Sequence, residues 1–431
     1  MSNVMLESLY IHNFKSFYKS KFEFGKLNCL IAPNNSGKSN LTSVLKFLND
    51  LLYKNTTIAI ANIGIDNIKN YHYEENEINI NASFKVKNKV LIDNELIDYS
   101  LTFLFLFVLD FKTKKTSIDI VIKGKIKSIE IDSADLTDGF GLRIIGKLES
   151  SIENYHYYND ELNKKTYRSF DFSYNNNTLF YNISTRHDST QEIIKKLFAL
   201  NVSKGDDERL DRPLTFSFIF CKNHLFSGYY FQTHEIKRPG EYGVNYLVES
   251  GQNLPEYLAY LYKNDKTIFD EISISLIGEV ALVNSISVYN ESIPTLVFKE
   301  ELNDKVYPVS IREISDGTLH YLAIMSAIQG DKVSQALIFE EPERHMHMKV
   351  LSTILNTMRD DDKQMFFTTH STEILQQLKL DEILFMFRDY DGDTKGKRAK
   401  DIPNIKKIMK IYKDDIVEMI KIGILDDLGD A

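Results

Sequence analysis

One short stretch, APNNSGKS at residues 32–39, restricts the folds open to this chain more than any other. An apolar run at residues 27–31 precedes it, and apolar residues at helical spacing follow it. The order strand, loop and helix is the context in which the pattern GxxxxGK, followed by Ser or Thr, has a physical meaning. Backbone N–H groups of such a loop, together with the N-terminus of the next helix, form a concave site for phosphate groups. The stretch therefore predicts a loop that binds a nucleoside triphosphate.

The candidate nucleotide-binding residues are the polar and glycine residues of this loop and of the first helical turn: Asn34, Asn35, Ser36, Gly37, Lys38, Ser39 and Asn40. In a loop of this kind the lysine reaches the β and γ phosphates, and the hydroxyl of the following serine, Ser39, binds Mg²⁺. ATP and Mg²⁺ are therefore the expected cofactors. Ala32 replaces the first glycine of the pattern, which introduces strain only if that position needs a positive φ.

Composition and charge narrow the class of protein. With 431 residues the chain is long enough for two or three hydrophobic cores, and its net charge of −9 argues against bulk attraction to nucleic acid. A local basic groove is still compatible with that charge. Cys29 and Cys221 have no metal-binding spacing, which fits a reducing cytosol. We expect a cytoplasmic protein, because no secretory signal is visible and the longest apolar run, residues 101–109, is about half the length of a membrane span.

The first part of the chain has the pattern of antiparallel strands followed by helices. Residues 4–24 are predicted to form a strand hairpin, and residues 78–131 a set of antiparallel strands rich in Ile, Phe and Val. The polar region 132–215 is hard to place, except for a helical stretch at residues 191–200. Residues 250–283 are predicted to be helical.

The second part returns to short apolar strands that alternate with helical segments, at residues 295–299, 336–339, 364–368 and 383–387. This alternation predicts a parallel sheet with helices on both faces, and we expect the strand before the phosphate-binding loop in the same sheet. The predicted fold class is α/β: a split ATPase head with a mixed sheet and flanking helices, an antiparallel β subdomain, an inserted α+β region and no long coiled coil. The expected parts are residues 1–75 with the loop, 76–280 with the insertion, and 281–431 with the later motifs and a helical tail.

Two carboxylates follow an apolar strand in the run QALIFEEPE at residues 335–343. The carboxyl ends of such strands are where α/β proteins bind ligands. We assign Glu340 to the Mg²⁺ shell and Glu341 to the polarisation of the attacking water. A second apolar strand, in MFFTTHS at residues 365–371, ends near His370. That histidine either contacts a γ-phosphate or the water, or has a structural role only.

A helix start lies upstream, in EISDGTLHYLAIM at residues 313–325. Ser315 is a good N-cap, Asp316 follows it, and Gly317 allows backbone to approach an anion. The segment is thus a candidate second phosphate-binding device. An ordinary capped helix that binds nothing is the alternative reading.

Taken together and in this order, the motifs resemble those of the ABC-type ATPase heads of SMC and RecF proteins, and most closely the OLD-type, stand-alone AAA ATPases of bacterial phage-defence operons. IHNFKSF, residues 11–17, looks like that family's turn ahead of the nucleotide loop, and APNNSGKS looks like its Walker A motif. Ser315, Asp316 and Gly317 resemble an abbreviated signature, FEEPE the Walker B motif and TTHS the switch-histidine loop. HEIKRPGEYG, residues 234–243, is similar to a further family segment.

The resemblance implies a nucleotide held between two protomers, with the loop of one facing the signature residues of the other. An ATP-dependent homodimer or higher homo-oligomer follows from that arrangement. It also implies a separately encoded effector such as a nuclease, since Asp391, Gly392 and Asp393 are better explained as a turn than as part of a fused Toprim nuclease. Two departures bear on hydrolysis: Glu340 replaces the usual Walker B aspartate, and the first glutamine, Gln191, comes too late for a Q-loop.

Three functions remain open from the sequence. The first is a phage-defence ATPase that senses and controls a separate effector. The second is a RecF-like or SMC-like ATPase that contacts DNA, and the third is a nucleotide-gated scaffold with little hydrolysis. A basic stripe on the surface of the dimer would favour the second function. A measurement of ATP turnover by the purified protein would distinguish the third function from the first two. From residue 405 onwards an apolar stripe predicts an amphipathic helix, which docks a partner or packs on its own domain.

Overall fold

The computed structural model describes residues 3–33, 36–53, 56–92, 95–113, 115–126, 129–132, 141–147, 154–156, 171–175, 178–180, 224–238, 245–280, 283–290 and 294–405. The chain divides into two compact units. The described residues of the first unit fall within 1–25, 35–225 and 386–397, and those of the second within 26–34, 226–385 and 398–431. The three-part division with boundaries near residues 75 and 280 stays a prediction.

The strands in the described part of the chain are, in order, β1 (Asn3–His12), β2 (Ser20–Glu23), β3 (Leu27–Ile31), β4 (Glu77–Ile92), β5 (Glu95–Asp110), β6 (Lys115–Ile126), β7 (Ile129–Asp132), β8 (Gly141–Lys147), β9 (Asn154–His156), β10 (Asp171–Asn175), β11 (Thr178–Phe180), β12 (His224–Tyr229), β13 (Val283–Asn290), β14 (Pro294–Leu302), β15 (Lys305–Ser310), β16 (Ser334–Glu340), β17 (Gln364–Thr368), β18 (Ile383–Arg388) and β19 (Thr394–Arg398). The helices there are α1 (Lys38–Tyr53), α2 (Thr56–Ile63), α3 (Ile65–Ile68), α4 (Thr233–Ile236), α5 (Leu254–Asn264), α6 (Lys266–Glu279), α7 (Asp316–Gly330), α8 (Met348–Asp360) and α9 (Thr372–Leu375), with a short 3₁₀ turn at Ala399–Asp401.

The first unit is built on an antiparallel sheet with the strand order β11-β10-β9-β8-β6-β5-β4-β1-β2, and β7 also pairs with β6. Strands β4, β5 and β6 pair as consecutive long hairpins, so the antiparallel strands predicted after residue 76 are confirmed. In β5 the side chains of Phe103, Phe105 and Phe107 are buried, whereas those between them are half-buried. The apolar run at residues 101–109, predicted as a buried strand, therefore buries only one of its faces.

The predicted hairpin at residues 4–24 is confirmed by the antiparallel pairing of β1 with β2. Its turn is held by the buried aromatic residues Phe14 and Phe17, whose backbones form an isolated bridge. The side-chain amide of Asn13 donates hydrogen bonds to the carbonyls of Glu75 (2.9 Å) and Glu77 (2.8 Å), which joins the turn to the start of β4.

The second unit contains the parallel strands that the sequence predicts. Its sheet contains the strand order β12-β16-β17-β3-β18. Strands β16, β17, β3 and β18 run parallel, and β3 and β17 are buried along their whole length. Burial on both faces explains why these strands are continuous apolar runs in the sequence. The strand before the phosphate-binding loop and the later strands thus share one sheet, and the predicted α/β class with an antiparallel β subdomain is confirmed.

Helices of the second unit pack against one another, and α5 and α6 also pack against strand β13 of a second sheet in this unit. Residues 250–283, predicted as helical, form α5 and α6, and Asp265 caps α6 by accepting a hydrogen bond from the N–H of Ile268 (3.5 Å). Helix α7 is buried along almost its whole length and contacts α6 and α8. A helix that is apolar on all sides is expected in such a buried position.

The prediction that residues 295–299 join the parallel sheet is wrong. They lie in β14, the central strand of a separate three-stranded antiparallel sheet, β13-β14-β15. Asn303 and Asp304, which connect β14 to β15, both have positive φ values (51° and 58°). Two left-handed residues in succession form the tight turn that joins neighbouring antiparallel strands, so β14 pairs with its neighbours in the chain.

Several other expectations concern loops and the ends of the chain. The stretch DYDGDTKG forms the predicted turn between β18 and β19, with the N–H of Gly392 donating to the carbonyl of Asp389 (2.9 Å). The helical stretch predicted at residues 191–200 and the C-terminal helix beyond residue 405 lie outside the described residues. In the described part of the chain, no helix is both long and apolar enough to cross a membrane.

Candidate functional site

Three parallel strands bring several of the predicted site residues to one edge of the sheet. In the register of β16, β17 and β3, Glu340 lies beside Thr368, and Thr368 lies beside Leu30. The carboxyl ends of parallel strands meet at the same edge, so Glu340, Glu341 and the segment leading to His370 are neighbours there. The chain leaves the same edge at Ile31 to begin the phosphate-binding loop.

The described part of that loop has the backbone that a phosphate-binding loop requires. Gly37 has a φ of 92°, and a Cβ atom at this position would lie 2.5 Å from Oγ1 of Thr394 and 3.0 Å from Oγ of Ser16. Both the conformation and the lack of space exclude any residue other than glycine. Ala32 does not have a positive φ, so its replacement of glycine introduces no strain. Asn34 and Asn35 lie outside the described residues.

Helix α1 begins at Lys38, directly after Gly37, and has no acidic residue in its first turn. Ser36 is buried, Lys38 is half-buried and Ser39 is exposed. The positive end of the helix dipole, the lysine charge and a hydroxyl therefore stand together at the start of α1. A cradle that only glycine fits, followed by this helix start, suits a triphosphate with its Mg²⁺ ion.

Asn40 has a structural contact in addition to its predicted role. Its side-chain amide donates a hydrogen bond to Oγ of Ser16 (2.8 Å), and the hydroxyl of Thr394 donates to the same atom (2.8 Å). Ser16 and Thr394 thus hold the loop and the first turn of α1 in place. They are 378 residues apart in the chain, and no local pattern in the sequence connects them.

Glu341 occupies a strained backbone position and forms an ion pair. Its φ is 47°, in the left-handed region that non-glycine residues rarely adopt, and its N–H donates to the carbonyl of Thr368 (3.1 Å). Nε of Arg344 donates to Oε2 of Glu341 (2.7 Å), and a terminal nitrogen of Arg344 donates to the hydroxyl of Tyr230 (2.8 Å). The bond to Glu341, followed by that to Tyr230, raises the pKa of Arg344 above its ordinary value. Strain of this kind is concentrated at functional sites.

The last acid of the turn, Glu343, connects it to the segment after β17. Its Oε1 atom accepts hydrogen bonds from the hydroxyl of Thr369 (2.7 Å) and from the backbone N–H of His370 (3.0 Å). His370 is exposed, whereas Thr369 is buried. The sequence predicted no role for Glu343 or Arg344, which stand two and three residues after Glu341 in the same motif.

The three predicted signature residues lie at the start of α7. Oγ of Ser315 accepts a hydrogen bond from the N–H of Thr318 (3.1 Å), which confirms the predicted N-cap. The side chain of Asp316 pairs with Nζ of Lys237 (2.7 Å), and this contact lowers the pKa of Asp316. A Cβ atom on Gly317 would lie 2.4 Å from the carbonyl oxygen of His345, so the helix start packs against the turn that contains Glu341.

Beneath this turn lies a buried histidine that the sequence analysis did not single out. The ring of His320 on α7 is 6.4 Å from the ring of His345 and packs edge-on against Phe231. Its Nδ1 atom is buried and makes no hydrogen bond in the described structure. Burial, and then the charges of His345 and Arg344, lower the pKa of His320 to about 4. His320 is therefore neutral at neutral pH.

Comparison with known proteins gives a family and some distant relatives. A family model described as "AAA domain, putative AbiEii toxin, Type IV TA system" matches residues 27–376, which is most of the chain. A Helicobacter pylori protein named ATP/GTP phosphatase is 23% identical over 424 residues, covering 95% of this chain and 93% of that protein.

Solved structures give more distant likenesses. The SMC head bound to the C-winged helix domain of ScpA has a TM-score of 0.45 and 13% identity, covering 91% of this chain and 97% of that one. The SMC head with an extended coiled coil, bound to the C-terminal domain of ScpA from Pyrococcus furiosus, has a TM-score of 0.41 and 14% identity, covering 95% and 99%. Both TM-scores and both sequence identities are low.

Proposed function

The chain belongs to the family described as "AAA domain, putative AbiEii toxin, Type IV TA system", and from that premise we propose that it binds ATP with Mg²⁺ and hydrolyses ATP to ADP and phosphate. The observation that carries the proposal is the common edge of β16, β17 and β3. Two carboxylates, the segment with His370 and the start of the phosphate-binding loop all leave the sheet at that edge. The name of the Helicobacter pylori relative, ATP/GTP phosphatase, supports the same reaction.

The proposed roles follow from the chemistry of phosphoryl transfer. Lys38 and the N–H groups around Gly37 bind the phosphate oxygens, and Ser39 with Glu340 holds Mg²⁺. The metal ion supplies positive charge that offsets the charge developing on the phosphate oxygens. Glu341 orients and polarises the attacking water, and His370 contacts the γ-phosphate or that water. Asn34, Asn35, Ser36 and Asn40 complete the loop around the phosphates.

We further propose that the active form is a homodimer or a higher homo-oligomer. Ser315 and Asp316 are exposed at the N-terminus of a long buried helix, where the helix dipole favours an anion. In the assembly these residues and Gly317 face the nucleotide of a neighbouring copy. From the resemblance of the motifs to the OLD-type ATPases, we also propose a role in defence with a separately encoded effector such as a nuclease. The family description names a putative toxin of a toxin–antitoxin system.

A second candidate is a nucleotide-gated scaffold with little hydrolysis, and one observation favours it. Oε2 of Glu341 is engaged by Nε of Arg344 at 2.7 Å, so this oxygen is not open to the attacking water. In this alternative, ATP binding alone controls the assembly.

Phosphate release by the purified protein distinguishes the two candidates. We expect steady release from ATP in Mg²⁺ and none in EDTA, because the metal is part of the proposed site. ATP binding without phosphate release, at every protein concentration tested, would reject the ATPase and leave the scaffold. The defence role needs a separate test, in which the gene and its neighbours are expressed in bacteria exposed to phage. We expect fewer plaques with the wild-type locus than with the Lys38→Ala locus, and equal counts would contradict that role.

A further inference from the structure

Glu343 links the turn at residues 341–345, the acidic turn, to the segment that contains His370. A single atom of its side chain, Oε1, accepts the hydroxyl of Thr369 at 2.7 Å and the N–H of His370 at 3.0 Å. The hydroxyl oxygen of Thr369 in turn accepts the N–H of Ser371 at 3.0 Å. Three consecutive residues after β17 are therefore tied, directly or through Thr369, to one carboxylate oxygen.

The second carboxylate oxygen of Glu343 lowers the stability of the folded protein. Oε2 is buried, and it has no hydrogen-bond partner in the described structure. A buried polar atom without a partner costs free energy, and a carboxylate oxygen costs more than a neutral one.

We propose that Glu343 is a positioning residue, which fixes His370 relative to Glu340 and Glu341 by holding the hydroxyl of Thr369 and the backbone of His370. The inference rests on the proposed ATPase function and adds a residue to it. Glu343 itself need not touch the nucleotide. Its effect on hydrolysis passes through the position of His370, and a misplacement of about 1 Å is enough to lower a catalytic rate substantially.

Substitutions at Glu343 and Thr369 test whether the hydrogen bonds matter. Glu343→Ala removes the acceptor, and we expect kcat for ATP to fall about tenfold or more while KM changes little. Glu343→Gln keeps one acceptor oxygen, and we expect kcat within about threefold of wild type. Thr369→Val removes the hydroxyl at nearly constant shape and should lower kcat, whereas Thr369→Ser keeps the hydroxyl and should not. Glu271→Ala, at an exposed position on α6, serves as the surface control.

A double-mutant cycle tests whether the effect passes through His370. If it does, Glu343→Ala lowers kcat strongly in the wild-type background and only slightly in a His370→Ala background. An equally large loss in both backgrounds would show that Glu343 acts by another route and would overturn the inference. Should Glu343→Ala fail to fold, the Thr369→Val and Thr369→Ser pair decides the matter, since equal rates for the two would also overturn it.

The outcomes separate this inference from the proposed function. A wild-type protein without ATP turnover would reject the proposed ATPase and the inference with it. A wild-type protein that turns over ATP, together with an unimpaired Glu343→Ala variant, would reject the inference alone. Loss in Glu343→Ala, recovery in Glu343→Gln and a non-additive cycle would together support it.

Discussion

Lys38 stands first in α1, directly after the glycine whose φ of 92° and tight surroundings fix the loop. We expect Lys38→Ala to weaken ATP binding about tenfold to a hundredfold, because a charged hydrogen bond contributes about 1.5–3 kcal/mol. Titration with a fluorescent ATP analogue measures the change. Lys21→Ala is the matched control, since Lys21 is an exposed lysine on β2 whose partner is Glu23. Unchanged affinity in Lys38→Ala would count against the assigned loop.

His320 makes stability depend on pH in a defined direction. Its pKa is lowered from 6.5 to about 4 in the folded protein. Between these two values the unfolded chain binds a proton that the folded chain does not, so stability falls as the pH falls through that window. At about pH 5 the loss from this one group is about 2 kcal/mol.

Thermal unfolding at about pH 7 and about pH 5 measures this effect. We expect the melting temperature of the wild type to fall more between these conditions than that of His320→Gln, in which the group no longer titrates. An identical fall in both proteins would show that His320 is not the group responsible.

The common edge at which the acids and the histidine lie could be predicted from the sequence, because each stands at or near the end of an apolar strand and the ends of parallel strands meet. The partners of these residues could not be predicted in the same way. Arg344 reaches Tyr230 across 114 positions, and Glu343 reaches Thr369 across 26. Such contacts depend on which strands lie side by side, and a single sequence does not contain that information.

Helix α7 and the acidic turn form a packed pair whose contact depends on Gly317. A Cβ atom there would lie 2.4 Å from the backbone oxygen of His345, which cannot move aside as a flexible side chain would. We therefore expect Gly317→Ala to lower both the melting temperature and the rate of ATP hydrolysis. Gly278→Ala is a matched control on α6, since its Cβ would meet nothing within 4 Å. Alanine favours a helix over glycine by about 1 kcal/mol, so Gly278→Ala should be neutral or stabilising.

Equal effects of the two glycine substitutions would contradict the packing described for Gly317. The same contact also means that a change at Gly317 disturbs the acidic turn of its own chain. Ser315 and Asp316, which are exposed, are therefore better positions than Gly317 for testing contact with a neighbouring copy.

Strand β14 shows where pattern analysis of elements fails. A run of only a few residues that alternate between apolar and polar fits an edge strand of a parallel sheet and a strand of a local hairpin equally well. The deciding signal is the Asn303–Asp304 pair, whose positive φ values close a tight turn. The sequence predicts strands β3, β16 and β17 correctly because each contains at least three consecutive apolar residues, as burial on both faces favours.

In the second unit, β3, which comes early in the chain, lies between β17 and β18, which come late in it. In the proposed assembly, each nucleotide is bound between two copies of the chain. We expect the mass of the particle in solution to increase when a slowly hydrolysed ATP analogue and Mg²⁺ are added, and to stay constant for Lys38→Ala. Mass photometry measures both. A wild-type mass that is the same with and without nucleotide would contradict an ATP-dependent assembly.

The most direct test of the central claim, that the carboxylates at the end of β16 serve ATP hydrolysis, is phosphate release by Glu341→Gln at saturating ATP. The affinity for nucleotide is measured on the same sample. Because positioned acid–base groups contribute about a hundredfold or more to rate, we expect release to fall by at least that factor while affinity stays within about threefold. Phosphate release at the wild-type rate would contradict the claim.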